Sequence, residues 1–186
     1  MTLPNNFVTV FNAVTVDFGL TLPWPRPTEY QAPNADDLIL IWGGSSSVGQ
    51  YALQILSYYG YRNLIATASA SHHQLLHSFG ATKVFDYKDS DVVAQILDFT
   101  KSLGRARPAI PFVLDCIGSK FGALAPIAKI AQKGAKVAVL LPVIVRDASD
   151  TVAPEYSMDT QASADWAEGV TVSGVRTHFY LNVSIM

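Results

Sequence analysis

Gly43-Gly44-Ser45-Ser46-Ser47-Val48-Gly49 is the stretch of this 186-residue chain best suited to hold an anion. Glycine lets a turn be tight and lets backbone N–H groups come close to a ligand. A helix opening just after the turn points its positive end the same way. Turns of this kind cradle the pyrophosphate of dinucleotides when three glycines stand in G-x-G-x-x-G spacing. Gly44 and Gly49 fill the first and third places. Ser46 stands in the second, where it narrows the approach but adds a hydroxyl donor. An ordinary tight strand–helix turn is the competing reading. No Gly-Lys-Ser/Thr follows, which disfavours a P-loop nucleotidase.

A second segment, Ala66-Thr67-Ala68-Ser69-Ala70-Ser71-His72-His73, bears on which nucleotide would fit. NAD sites place Asp or Glu at the end of the second strand to bind the adenosine ribose. Here that position carries hydroxyls and histidines and no acid, so the 2′-phosphate of NADP is tolerated and can be hydrogen-bonded. Ser69 and His72 are the expected donors, and an acid at Thr67 is expected to reverse the preference. His73 and His77 read as solvated histidines of a helix. In Asp115-Cys116-Ile117-Gly118, Asp115 can orient the loop and Gly118 permits close approach of a ligand, whereas Cys116 reads as a small buried residue. None of the eight tyrosines has lysine four positions on, which disfavours the short-chain dehydrogenases. No His, Cys, Asp and Glu spacing suggests a metal site.

The elements that would position these residues alternate. Leu38 to Trp42 is a continuous apolar run, the pattern of a strand covered on both faces. Val48 to Tyr59 has helical spacing and stops at Gly60. Strands follow at 64–66, 83–85, 112–114 and 135–141, with helices at 71–79, 92–101 and 121–132. Ser90 or Asp91 is the expected N-cap of the helix at 92–101. Residues 142–168 read as irregular and 170–181 as a long last strand. Ahead of this, Asn5 to Leu20 has the spacing of an amphipathic helix, and Thr21 to Asp36, with four prolines, reads as a linker or surface arm. Strand–helix alternation implies an α/β fold, a doubly wound parallel sheet of about six strands. Ligands of such sheets lie beyond the carboxyl ends of the strands. The segments 43–49, 67–73, 86–88, 115–119 and 140–143 are therefore the ones to search.

Composition excludes other classes. The chain is 49% hydrophobic and 15% charged, too apolar for a disordered chain. Its 13 basic and 15 acidic residues are interspersed, so no basic block exists for nucleic acid. A single cysteine excludes a disulfide framework. No stretch looks like a signal peptide or a membrane span, and a cytoplasmic location is expected.

Ile39 to Gln50, Ile65 to Ser69, Phe79-Gly80-Ala81, Val84-Phe85-Asp86-Tyr87 and Leu114 to Gly118, in that order, resemble the medium-chain dehydrogenase/reductase superfamily. The resemblance is closest to its zinc-independent branch, the quinone oxidoreductases and the fungal trans-acting enoyl reductases. It implies a Rossmann-type domain that binds NADP for hydride transfer to an activated double bond or quinone. Ser45, Ser46, Ser47 and Val48 match the pyrophosphate turn. Ser69, Ala70, Ser71 and His72 match the segment around the 2′-phosphate, and Tyr87 an adenosine-side contact. Cys116, Ile117, Leu140 and Leu141 would face the nicotinamide. Leu3-Pro4 and Thr9 match the start of the family's domain-connecting helix, whose threonine touches the cofactor. The resemblance further implies a homodimer that pairs the last strand, 170–180, with its copy. Residues 1–36 would be connecting helix and arm, and 37–186 the NADP-binding domain. The family's GroES-like substrate domain is expected to be absent, so no catalytic residue is assigned. A non-catalytic NADP-binding or sensor module is the alternative function.

Overall fold

A computed structural model describes residues 3–105 and 107–177. Six parallel strands form one sheet: β1 (Leu38–Trp42), β2 (Asn63–Thr67), β3 (Lys83–Phe85), β4 (Phe112–Asp115), β5 (Lys136–Leu140) and, last in the chain, Thr171–Val175. From one edge the order runs β3, β2, β1, β4, β5 and then Thr171–Val175. The chain therefore winds outward from β1 in one direction, then from β4 in the other. A crevice opens between the carboxyl ends of these two strands. They run side by side in register, with Ile39 opposite Phe112 and Trp42 opposite Asp115.

All five residues of β1 are buried, as its continuous apolarity requires. Alternate side chains feed two cores. Ile39 and Ile41 pack with α1 (Leu3–Asn12), α2 (Ser47–Tyr58) and α3 (His73–Ser78), through Val10, Leu53, Leu56 and Leu76. Leu38, Leu40 and Trp42 pack with α4 (Val92–Ser102) and α5 (Ala125–Ile130), through Ile96, Ile127 and Ile130. Truncating any of these leucines or isoleucines to alanine is expected to cost about 2–5 kcal/mol. At the end of α2, Gly60 takes φ +95° and lets Tyr61 N–H reach back to Leu56 O.

Several elements differ from their sequence reading. The first helix does not run regularly to Leu20: after Asn12 it widens into a π-helical turn over Ala13–Asp17. The proline-rich segment is irregular, as expected, but it is no loose arm. Leu22 and Ala32 are buried, and Tyr59 Oη donates to Pro23 O at 2.8 Å. The helix read over 71–79 begins as a 3-10 turn, Ala70–His72, and the one read over 121–132 begins as a π turn, Lys120–Leu124. Asp91 takes the N-cap position of α4 without a side-chain cap, its Oδ1 accepting instead from Gln95 Nε2. Residues 142–168 are not wholly irregular. Val143–Arg146 (β6) pairs antiparallel with Glu155–Ser157 (β7), two strands too short to leave a periodic signal. The last strand of the parallel sheet is accordingly β8. Of the expected strand 170–181, residues 178–181 lie outside the described residues.

Candidate functional site

The turn after β1 is built on its neighbours' backbone. Gly43 N–H donates to Thr67 Oγ1 at 3.0 Å, and Gly44 N–H to Thr67 O at 2.8 Å, tying the turn to the end of β2. Gly43 takes φ +82°. At Gly49 a Cβ would stand 2.5 Å from Gly43 O and 2.8 Å from Gly44 Cα. Only glycine lets α2 sit this close to the turn. Ser46 caps α2, its Oγ accepting from Gly49 N–H at 3.1 Å. Ser47 Oγ accepts from Asn6 Nδ2 at 2.8 Å, linking the helix start to α1. The amides of Ser45, Ser47 and Val48 have no acceptor among the described residues. Three unspent donors thus gather at the positive end of a 12-residue helix, an arrangement that binds an anion.

Thr67 is fully buried under this turn. An acid there would unseat Gly43 before it met any ribose, so the position cannot serve as a specificity probe. Beyond it, Ser69 is half-buried, while Ser71 and His72 are exposed and lie together, Ser71 Oγ at 3.3 Å from His72 Nδ1. His73 and His77 are tied to backbone carbonyls, Ala68 O at 3.1 Å and Ala81 O at 2.7 Å. The sequence singles out 86–88 as a segment to search but assigns a contact there only to Tyr87, not to Asp86. Asp86 follows β3, and its Oδ2 accepts from Ala70 N–H at 3.1 Å. The available signal was the parallel register, which sets Phe85 beside Thr67 and so brings Asp86 alongside the 68–70 segment.

At the end of β4, Asp115 is completely buried. Its Oδ1 accepts from Ile117 N–H at 2.9 Å and from Gly118 N–H at 3.2 Å, closing the loop over the carboxylate. Burial, only partly offset by these bonds, pushes its carboxyl up to about 7. Burial and the neighbouring Asp115 push the Cys116 thiol well above its ordinary range, with a bond to Ser46 acting the other way. Such a thiol is inert at neutral pH. Gly118 O accepts from Ile144 N–H, so β6 secures the loop from its far side.

A cleft of about 260 Å³ results, lined by Trp42, Gly43, Ser45, Thr67, Ala68, Tyr87, Ile117, Ser119 and Gly122. Of the residues expected in the site, Ser45, Tyr87 and Ile117 line it directly, while Gly44, Ser46 and Gly49 shape its turn. Leu140 and Leu141 are half-buried at and just beyond the end of β5 and do not line it. Thr9 is buried, its hydroxyl held between Asn5 O and Thr177 Oγ1. No group of three or more His, Cys, Asp or Glu among the described residues is placed to hold a metal. None of the described helices is long and apolar enough to cross a membrane.

Comparison with known proteins gives this geometry relatives. A family model described as zinc-binding dehydrogenase matches residues 47–143. The trans-enoyl reductase tazE of Aspergillus terreus is 48% identical over 84 residues, 45% of this chain and 27% of that protein. Among solved structures, the CurK enoyl reductase superposes with a TM-score of 0.65 at 16% identity, over 99% of this chain and 46% of that one. A mutant of Etr1p in complex with NADP and crotonyl-CoA gives 0.60 at 17% identity, over 98% and 45%. These two superpositions establish the fold. The chain spans less than half the length of each of these relatives.

Proposed function

Since this chain belongs to the medium-chain dehydrogenase/reductase superfamily, in its zinc-binding dehydrogenase family and on its enoyl reductase branch, we propose that it binds NADP(H) in the crevice and serves hydride transfer to an activated carbon–carbon double bond or a quinone. The observation that carries the reading is the set of three unspent amides, Ser45, Ser47 and Val48, at the start of α2. They converge at the sheet's switch point, beside a cleft whose turn leaves no room for a Cβ.

Each part of the crevice has a task in this reading. The amides of Ser45, Ser47 and Val48 hold the pyrophosphate, with Ser46 fixing the helix start that aims them. Ser69, Ser71 and His72 donate to the 2′-phosphate, and Tyr87 packs on the adenosine side. Ile117 lines the nicotinamide side of the cleft, Cys116, Leu140 and Leu141 continue that side beyond the cleft's lining, and Thr9 braces it from α1. Asp115 keeps the Ile117 and Gly118 amides in place, so that the loop presents carbon to the ring rather than polar groups. The cofactor supplies the hydride; the protein supplies binding, orientation and exclusion of water. The donor set of backbone amides, hydroxyls and one imidazole suits a phosphate-bearing cofactor, and among the described residues no cluster of imidazoles, thiols and carboxylates is placed to hold zinc.

An enoyl thioester is the first candidate acceptor, in keeping with the enoyl reductases among the relatives, and a quinone, which the sequence resemblance implies, is the second. An acceptor must be held against the nicotinamide from the side the described residues leave open, and such positioning is worth roughly 7–11 kcal/mol. Binding and turnover are therefore separate tests. A cytoplasmic setting and a homodimer complete the reading. β8 is an edge of the described sheet, with unpaired backbone groups that a second copy can meet. Titration with NADPH, followed by its fluorescence, should saturate at one site per chain. NADPH oxidation with 2-enoyl thioesters then reads turnover. Absence of saturation with either NADPH or NADH would overturn the proposal.

A further inference from the structure

An anion of the protein itself stands where the adenosine-side segment begins. Asp86 directly follows β3, whose last residue Phe85 pairs with Thr67 at the end of β2. Its two oxygens are divided between two segments: Oδ1 accepts from Lys88 N–H at 2.9 Å, and Oδ2 from Ala70 N–H at 3.1 Å. Ala70 opens the 3-10 turn on which Ser71 and His72 stand exposed. The next residue, Tyr87, lines the cleft with Ala68. The bond from Lys88 N–H chiefly, aided by that from Ala70 N–H and the charges of Lys88 and His73, holds the Asp86 carboxyl below the ordinary carboxylate range against the opposing effect of desolvation. It is ionised at neutral pH.

We propose that Asp86 is a specificity-determining residue that limits the preference for NADPH over NADH, because its carboxylate occupies the Ala70 N–H and places a negative charge beside the segment a ribose 2′-phosphate would use. The inference rests on the reading of the crevice as an NADP(H) site and goes beyond it. A phosphate approaching Ser69, Ser71 and His72 meets an amide already taken and a like charge. NADH carries no charge at that ribose, so Asp86 acts on the ratio of the two affinities rather than on affinity in general. The acid that tempers phosphate binding comes from the end of β3, not from the end of β2 where dinucleotide sites usually place it.

The test is calorimetric measurement of both affinities for the unaltered chain, Asp86→Asn and Asp86→Glu, at about 0.1 M and about 1 M salt, between which the screening length falls from about 10 Å to about 3 Å. Asp86→Asn should raise the NADPH-over-NADH ratio about three- to tenfold at low salt, through tighter NADPH with NADH nearly unchanged. The rise should largely vanish at high salt. Asp86→Glu keeps the charge and should keep the ratio of the unaltered chain. An unchanged or lowered ratio in Asp86→Asn overturns the inference. Failure of the unaltered chain to bind either nucleotide overturns the underlying reading instead. If Asp86→Asn melts below the assay temperature, Asp86→Ser, which also offers a neutral acceptor, is judged by the same criteria.

Discussion

Replacing Gly49 by alanine tests how the crevice is built. The added Cβ would lie 2.5 Å from Gly43 O, 2.8 Å from Gly44 Cα and 2.9 Å from Gly44 C. That is roughly 1 Å short of a comfortable contact. All three neighbours are backbone, and Gly43 and Gly44 are themselves pinned to Thr67. No rotamer change can relieve the clash, so the start of α2 must lift away from the turn. Overpacking of this kind costs about 1–3 kcal/mol, and the immovable neighbours place it at the upper end. Alanine's better helix propensity returns up to about 1 kcal/mol. A net loss of about 2 kcal/mol remains, or a fall in Tm of roughly 4–8 °C for a chain of this size. Lifting α2 also moves the amides of Ser45, Ser47 and Val48, so NADPH affinity should fall at least about tenfold, a change of 1.4 kcal/mol. Gly122→Ala is the stability control. Its nearest neighbour would be Ser119 Oγ at 3.2 Å, a side-chain atom, and its melting should stay close to that of the unaltered chain. Calorimetric melting and nucleotide titration read both effects. A Gly49→Ala protein that melts and binds like the unaltered chain would refute the reasoning.

Three further outcomes follow from the same geometry. The Asp115 carboxyl lies near 7 in the fold against 3.8 ordinarily, so the folded state keeps a proton that the unfolded state has released. Stability from this group is complete below about pH 4 and is lost as pH rises to about 7, a span of about 4 kcal/mol. Urea unfolding at pH 4.5 and pH 8 should show that decline in the unaltered chain and a flatter profile in Asp115→Asn. Thr67→Val keeps the shape but leaves the buried Gly43 N–H without its acceptor, and should cost about 1–3 kcal/mol in the same assay. Ser46→Ala removes the cap on Gly49 N–H and should cost about 1 kcal/mol while weakening nucleotide binding.

How far the sequence reaches depends on how local each signal is. β1 was legible because burial on both faces writes itself as five consecutive apolar residues. The turn after it was legible because glycine spacing reports backbone approach directly. Thr67 was legible as the end of β2, but not as the acceptor for Gly43 N–H, since that bond spans 24 residues. Asp86 lay in a segment marked for search, but its bond to the 68–70 segment escaped for a related reason. Its partner Ala70 lies 16 residues away and is reached only through the pairing of β2 with β3. The β6–β7 pair escaped because strands of four and three residues in a polar stretch carry no period. The proline-rich segment read as an arm because proline forbids regular structure, yet proline says nothing against packing. Leu22 and Ala32 are buried there all the same.

Backbone amide chemical shifts, followed by NMR through a titration with NADPH, test the central claim most directly. The crevice reading predicts the largest changes at Ser45, Ser47 and Val48, with further changes at Ser69 to His72, Tyr87 and Ile117. A polar pocket between the proline-rich segment and the end of α2, lined by Arg26, Tyr30, Asn34 and Arg62, should stay silent. Largest shifts in that pocket, or saturable binding that leaves the three amides of α2 unmoved, would contradict the account.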